Sequence, residues 1–182
     1  MKILVYADLH AGEGSDRLYA DPTVPLQRWR TQRFFTEVAR LAKARRVDAV
    51  WDLGDTTDDR TSIPIPTIDA LIAGHALLPT GSSNLKLVGN HEQYYRNTSL
   101  HSGKLYGSKF VTVDGVDAFG LDDGETAVIA VAFPADYASA DALLHRYLEA
   151  VREPPVKRVI VIGHGDIVGA ELGSGVALTG FR

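Results

Sequence analysis

Four short apolar runs in this 182-residue chain each end on residues that can ligate a metal ion. The runs are ILVYADLH, AVWDLGD, LKLVGNHE and VIVIGHGD, and segments with the periodicity of helices lie between them. Nearly continuous apolar strands that alternate with helices are typical of α/β proteins, whose sheets are covered on both faces. The pattern therefore predicts an α/β fold, and the length suits a single domain over residues 1–182.

The predicted elements follow from these apolar runs and from the turn residues between them. We expect strands at 3–7, 47–53, 85–88, 111–113, 116–121, 127–133 and 156–162, and helices at 29–45, 67–78 and 138–151. Asp114-Gly115 and Asp122-Asp123-Gly124 are turn signals between the later strands. The first of these turns predicts a tight hairpin.

Composition narrows the chemistry that the chain can perform. It has no cysteine, which excludes disulfides, thiolate metal sites and a cysteine nucleophile. A net charge of −4 argues against strong non-specific binding of nucleic acid. The N-terminal residues lack the features of a signal peptide, and no run of apolar residues is long enough for a membrane span, so a cytoplasmic location is expected.

Ligand-type side chains follow each of the four runs. Asp8 and His10 follow the first run, Asp55 the second, Asn90 and His91 the third, and His164 the fourth. One such pair alone is more often a turn or a helix cap. In open α/β sheets, functional groups gather beyond the carboxyl ends of the strands, so the four together favour one shared site. Oxygen and imidazole ligands with an intervening carboxylate suit two cations that assist a phosphoryl displacement.

The motifs carry a family resemblance along the whole chain. Asp8-x-His10, Gly54-Asp55-x-x-Asp58, Gly89-Asn90-His91-Glu92 and Gly163-His164 resemble the successive motifs of the calcineurin-like metallophosphoesterase superfamily. The resemblance implies a sandwich of two mixed β-sheets flanked by helices. The stretches HAGEG and VDAVWDLGDTTDD look most like SbcD-type exonucleases and the nuclease subunit of the MRN repair complex. That branch implies DNA as the substrate and an SbcC-like repair ATPase as a partner.

The resemblance also implies a role for each matching residue. It assigns Asp8 and His10 to the first metal, Asp55 to a bridging position, and Asn90 and His164 to the second metal. It makes His91 the general acid, oriented by Asp58, and it implies two manganese ions, with iron, zinc or magnesium as alternatives. Arg60, Tyr94 and Arg96 are candidate substrate contacts, although related phosphatases place the arginine one position earlier than Arg60.

One motif of the superfamily, a Gly-His-x-His strand end, is absent from these 182 residues. We therefore expect a domain truncated at its C-terminus. The alternatives are a short form completed by Asp166, Asp122 or another chain, and a degenerate member that binds metal poorly. The functional alternatives are a phosphatase or small-molecule phosphodiesterase, and a non-catalytic metal-binding or structural subunit.

Three further histidines lack neighbours at ligand spacing. His75 and His145 lie inside predicted helices, where a structural or surface role is expected. His101 follows the third motif after a segment that resembles a loop; a surface position on that loop is the favoured interpretation, and a position facing the cleft is the alternative.

Overall fold

The computed structural model describes residues 1–12, 26–81, 83–95, 97–152 and 156–167. The described strands are β1 Ile3–Tyr6, β2 Ala49–Asp52, β3 Leu85–Leu87, β4 Gln93–Tyr94, β5 Asn97–His101, β6 Val111–Val113, β7 Val116–Gly120, β8 Thr126–Val131 and β9 Arg158–Gly163. The helices are α1 Leu26–Arg45, α2 Ile65–Leu77 and α3 Tyr137–Ala150, with a 3₁₀ helix at Ser102–Lys109. No helix in the described part of the chain has the length and hydropathy that crossing a membrane requires.

Two main sheets face each other across an apolar core. The first is parallel, with strand order β1-β2-β3-β6, and the second pairs β7 with β8 antiparallel and β8 with β9 parallel. Side chains such as Trp51, Leu87, Val128 and Ala130 fill the space between the sheets. Helices α1 and α2 cover the outer face of the first sheet, where Phe35, Val38, Val50 and Leu71 are buried.

Helix α3 packs against β7 and β8 on the second sheet. The layers therefore run helix, sheet, sheet, helix, and the predicted α/β sandwich is confirmed, with a parallel first sheet and a mixed second sheet. The carboxylate of Asp136 caps the start of α3 by accepting from the N–H groups of Ala138 and Ser139.

The predicted hairpin at Asp114-Gly115 is wrong. Strand β6 pairs with β3 in the first sheet and β7 pairs with β8 in the second, so this turn carries the chain between sheets. The cause is burial: Val113 packs into the core of the first sheet, a non-local contact that local turn residues cannot indicate. The second turn does join β7 to β8, and the Asp123 carboxylate accepts from the N–H groups of Glu125 and Thr126.

The segment after the third motif is more regular than the sequence indicates. It contains the short antiparallel pair β4 and β5, followed by the 3₁₀ helix. The surface position expected for His101 is wrong, since its side chain is only 2% exposed and lies 3.5 Å from Asp114 Oδ2. His75 is buried, whereas His145 is on the exposed side of α3 next to Asp141.

Candidate metal centre

The loops that follow β1 and β2 run side by side and bring three predicted ligands together. The N–H of Asp8 donates to Gly54 O at 3.0 Å, and the N–H of His10 donates to Asp55 O at 2.9 Å. One residue later, Ala11 N–H donates to Thr56 O at 2.8 Å. The parallel pairing of the strands thus continues into the loops, so main-chain hydrogen bonds place Asp8, His10 and Asp55 next to one another.

The same three residues have an unusual backbone conformation. Their φ angles are +56° at Asp8, +46° at His10 and +54° at Asp55, in the left-handed region that residues other than glycine seldom adopt. Such conformations cost of order 1–3 kcal/mol each and cluster at functional sites, where the surrounding structure enforces them. Three of the five non-glycine residues with positive φ in the described part of the chain are therefore predicted metal ligands, the others being Arg46 and Tyr95.

Two glycines let the loops after β2 and β3 approach closely. Gly54 has φ of +104°, and a Cβ atom there would lie 2.9 Å from both Gly89 N and His164 Nδ1. A Cβ at Gly89 would overlap the Asp55 carboxylate and main chain. The close approach lets Asp55 Oδ1 accept from the N–H of His91 at 2.9 Å. Side chains at either glycine would push Asp55 away from Asn90 and His164.

Asp55 lies between two groups of ligand atoms. One group consists of His10, Asp55 and His91, and the other of Asp8, Asp55 and His164, with the atoms of each group within 4.8 Å of one another. Asp55 Oδ2 is 3.9 Å from His10 Nε2 and 3.4 Å from His164 Nε2. Asp55 therefore contributes an atom to both groups, which is what the bridging role implied by the resemblance would require. Asp8 approaches both groups, since Oδ1 is 3.9 Å from His10 Nε2.

Two of the three histidines of this centre have one ring nitrogen within hydrogen-bond distance of a main-chain oxygen, and His10 has a carboxylate nearby. His164 Nδ1 is 2.8 Å from Leu53 O, and His91 Nδ1 is 2.5 Å from Asp58 O. His10 Nδ1 lies 3.5 Å from Asp58 Oδ1. Outer contacts of this kind fix the tautomer and the ring orientation of metal-binding histidines. Asp58 thus meets His91 through its main-chain carbonyl, and its carboxylate lies against His10.

The amide of Asn90 provides a test of whether a cation suits the centre. With Oδ1 directed inward, it lies 3.2 Å from His164 Nε2 and beside Asp55 Oδ2, so three acceptor atoms converge when His164 is neutral and its proton is on Nδ1, which faces Leu53 O. Acceptors in such proximity repel one another unless a cation lies among them. With the amide rotated by half a turn, its NH₂ donates to both neighbours and its oxygen accepts from Arg60 at 2.9 Å. Carboxylate oxygens, imidazole nitrogens and an amide oxygen together form a donor set that fits a divalent ion.

The two acid–base partners at the centre shift each other's pKa. Burial raises the pKa of Asp55, but hydrogen bonds from His164 and from the His91 N–H outweigh it, and the pKa is lowered. Burial lowers the pKa of His164, but the hydrogen bond and charge of Asp55 outweigh it, and the pKa is raised. Asp55 is therefore an anion at neutral pH, as a bridging ligand must be.

The candidate substrate contacts Arg60 and Tyr94 lie at different places relative to the centre. Arg60 reaches the centre through Asn90, as described above. Tyr94 lies farther out, in a cleft next to the centre, with its ring against Tyr95. Arg96 lies outside the described residues.

Asp166 and Asp122, which were expected to complete the site without the Gly-His-x-His motif, lie in different places. Asp166 lines the cavity that contains Asp8, Asn90 and His164, and its carboxylate accepts from the hydroxyl of Tyr137 at 3.2 Å. Asp122 instead accepts from Ser83 at 3.2 Å and belongs to neither ligand group in the described structure. Residues 168–182, on which the expectation of truncation rests, are outside the described part of the chain.

Beneath the centre lies a buried charged network that the sequence analysis missed. Lys86 is fully buried and donates to Asp52 Oδ2 and to Thr56 Oγ1, both at 2.7 Å. The carboxylate of Glu92 lies 3.7 Å from Lys86 and accepts from the N–H groups of Asp55 and Thr56. It also accepts from Gly89 N–H at 2.7 Å, so Glu92 joins the loops after β2 and β3.

A signal for this network is present in the sequence. Lys86 lies between two leucines in a buried strand, and all three residues of that strand are buried. A lysine in such a position needs a buried carboxylate partner. Asp52, in the neighbouring strand β2, and Glu92, which directly follows His91, are the acidic residues within reach.

We expect His75, at the edge of this network, to make stability depend on pH. Burial and the charge of Lys86 lower the pKa of His75 from 6.5 to about 4. Between these pH values the unfolded chain binds a proton that the folded chain does not, so the free energy of unfolding rises with pH. Above about pH 6.5, His75 is neutral in both states and does not reduce the free energy of unfolding. As the pH falls towards 4, the free energy of unfolding decreases by about 3 kcal/mol.

Urea unfolding at several pH values measures this effect. The variant His75→Phe keeps an aromatic ring next to Phe35 and Phe110 but cannot be protonated. Its free energy of unfolding should change less between pH 4 and 6.5 than that of the unmodified protein. An equal slope for both proteins would show that His75 is not the group responsible.

Comparison with known proteins agrees with this geometry. The family model for calcineurin-like phosphoesterases matches residues 1–178, which is nearly the whole chain. No curated protein gives a significant match. The match covers every strand end that contributes to the two ligand groups. The chain therefore belongs to the calcineurin-like phosphoesterase family.

Proposed function

We propose that this phosphoesterase hydrolyses phosphodiester bonds and that its substrate is DNA, as in nucleases of the SbcD type. The observation that carries the proposal is the position of Asp55, which belongs to both groups of ligand atoms. Two cations that share a carboxylate can stabilise the attacking and the leaving oxygens of a displacement at phosphorus. The sequence motifs around Asp55 support the nuclease branch.

The ligands proposed for two divalent ions, with manganese as the first choice, are Asp8, His10, Asp55, Asn90 and His164. Ions bound there lower the pKa of water and neutralise charge on the phosphoryl oxygens. Although His91 lies in the group with His10 and Asp55, we assign it to proton transfer to the leaving oxygen and not to ion binding. Its Nδ1 faces Asp58 O, so Nε2 is the atom that exchanges a proton. Asp55 accepts from the His91 N–H and so fixes the main chain of this residue.

A phosphatase or a small-molecule phosphodiesterase is the second candidate. The guanidinium of Arg60 lies 2.9 Å from the Asn90 amide, beside the place where a phosphate would meet the ions. An arginine in this position can form paired hydrogen bonds with the terminal oxygens of a phosphomonoester. The position of Arg60 therefore favours this candidate, although the sequence offset from related phosphatases favours the nuclease.

Removal and return of the ions test the proposal. We expect protein stripped with EDTA to be inactive and to recover when Mn²⁺ is added. The loaded protein should cleave single- or double-stranded DNA and bis-p-nitrophenyl phosphate faster than p-nitrophenyl phosphate. The measurements are release of nitrophenolate and gel analysis of DNA.

Other outcomes would point elsewhere. Faster hydrolysis of the monoester would favour the phosphatase, and cleavage of small diesters without cleavage of DNA would favour the small-molecule enzyme. If no substrate reacts and elemental analysis finds no bound ion, the protein is a non-catalytic subunit.

A further inference from the structure

A second cleft lies beside the candidate metal centre, and neither the family nor the ligand groups account for it. Its volume is about 540 Å³, within the range of cavities that hold small molecules. Its apolar walls include Ile63, Ile68, Tyr94 and Leu100. Two cationic side chains, Arg60 and Lys104, and two carboxylates, Asp59 and Glu92, also line it.

Two residues that line the cleft also contact residues of the metal centre. Arg60 lines the cleft and lies 2.9 Å from the Asn90 amide at the centre. Glu92 also lines the cleft and accepts from the N–H of Asp55 at 2.8 Å. Arg60 and Glu92 therefore connect the cleft to the metal centre.

The side chains that line the cleft indicate which chemical group would bind in it. Tyr94 is 46% exposed and Leu100 is 54% exposed, although both are large apolar side chains. Exposed apolar surface of this kind, next to a few polar groups, is typical of a binding site. A flat ring can stack on tyrosine and pack against leucine and isoleucine. Arg60, which lies between the cleft and the centre, suits a group that carries a negative charge.

We propose that this cleft is a subsite for a planar ring, a nucleobase or an aryl group, that is attached to the phosphate held at the metal centre. The inference rests on the proposed function, because it assumes that a phosphate ester binds to the ions. It adds a substrate preference: the ester should carry a ring on one of its oxygens. Tyr94 and Leu100 provide the ring contacts, and Arg60 lies where ring and phosphate meet.

Calorimetric titration of the Mn²⁺-loaded protein with three ligands tests the subsite. Thymidine 5′-monophosphate and phenyl phosphate carry a ring, and methyl phosphate does not. We expect at least one ring ligand to bind about 10-fold more tightly than methyl phosphate, as stacking on one aromatic side chain provides. The relative affinities of the two ring ligands distinguish a nucleobase site from a general aryl site.

Two variants should remove the preference in different ways. Tyr94→Ala takes away a wall, and Leu100→Trp fills the cleft, so both should bring the ring ligands to the affinity of methyl phosphate. Leu143→Trp is the matched control, since Leu143 is 37% exposed on α3, against the other sheet, and should leave all affinities unchanged. Circular dichroism identifies a variant that does not fold, in which case the other variant decides.

Methyl phosphate tests the metal centre, and the two ring ligands test the subsite. Binding of methyl phosphate that requires Mn²⁺ reports on the metal centre, and its absence would contradict the proposed function. A preference for rings that survives in both variants would overturn the subsite alone. So would the absence of any ring preference in the unmodified protein.

Discussion

Asp55→Asn is expected to reduce Mn²⁺ affinity by more than about 100-fold, because loss of an outer contact alone typically costs 10–100-fold. The amide keeps the size of the carboxylate and can still accept from the His91 N–H. It lacks the negative charge that both groups of ligand atoms share. Hydrolysis of bis-p-nitrophenyl phosphate should fall to the background rate at Mn²⁺ concentrations that saturate the unmodified protein.

Two comparisons make the Asp55 experiment specific. Asp69→Asn makes the same chemical change on α2, where Asp69 pairs with Arg28, and should leave both ion binding and turnover unchanged. His91→Gln should lose turnover while retaining most of the Mn²⁺ affinity, because we assign His91 to proton transfer. If His91→Gln loses the ions as Asp55→Asn does, then His91 is a ligand. Full ion binding by Asp55→Asn would contradict the centre itself.

Lys86→Met should destabilise the fold by about 3–5 kcal/mol, the usual result of removing one member of a buried ion pair. Both Lys86 and Asp52 are completely buried. Burial raises the pKa of Asp52, but the charge and hydrogen bond of Lys86 outweigh it, and the pKa is lowered. Without the ammonium group, Asp52 and Glu92 would face each other in the interior without a compensating charge. Urea unfolding at pH 7 measures the loss.

Lys157→Met is the matched control for Lys86. Lys157 pairs with Glu125 at 2.5 Å, but its side chain is 71% exposed, so water and salt screen the pair and little stability should be lost. A double-mutant cycle with Asp52→Asn isolates the pair, because adjacent charges give non-additive effects. Additive losses, or a loss below about 1 kcal/mol for Lys86→Met, would show that the network does not stabilise the fold.

The sequence predicted most elements of the fold, and it predicted that Asp8, Asp55 and His164 lie close together, because both depend on local patterns. Apolar runs ending in Asp8, Asp55 and His164 locate the strand ends, and parallel strands bring such ends to one edge of a sheet. The observed strands and helices lie within a few residues of their expected bounds, except that β4, β5 and the 3₁₀ helix were not expected.

Other features depend on contacts between distant residues, which local patterns do not contain. The pairing of β6 with β3 follows from burial of Val113, and no property of Asp114-Gly115 indicates it. The cleft also depends on tertiary structure, since Ile68 on α2 and Leu100 on β5 meet there. The contact of Asp58 with two histidines likewise comes from the fold.

The hydrogen bonds between the loops after β1 and β2 have a consequence for how the protein acquires its metal. Because the main chain already holds Asp8, His10 and Asp55 in place, an entering ion has little chain left to order. Ions can then exchange in the folded protein, without the coupled folding seen in small zinc domains. A preformed site of oxygen and imidazole ligands admits several divalent metals, so the metal found in the cell should reflect supply as well as affinity.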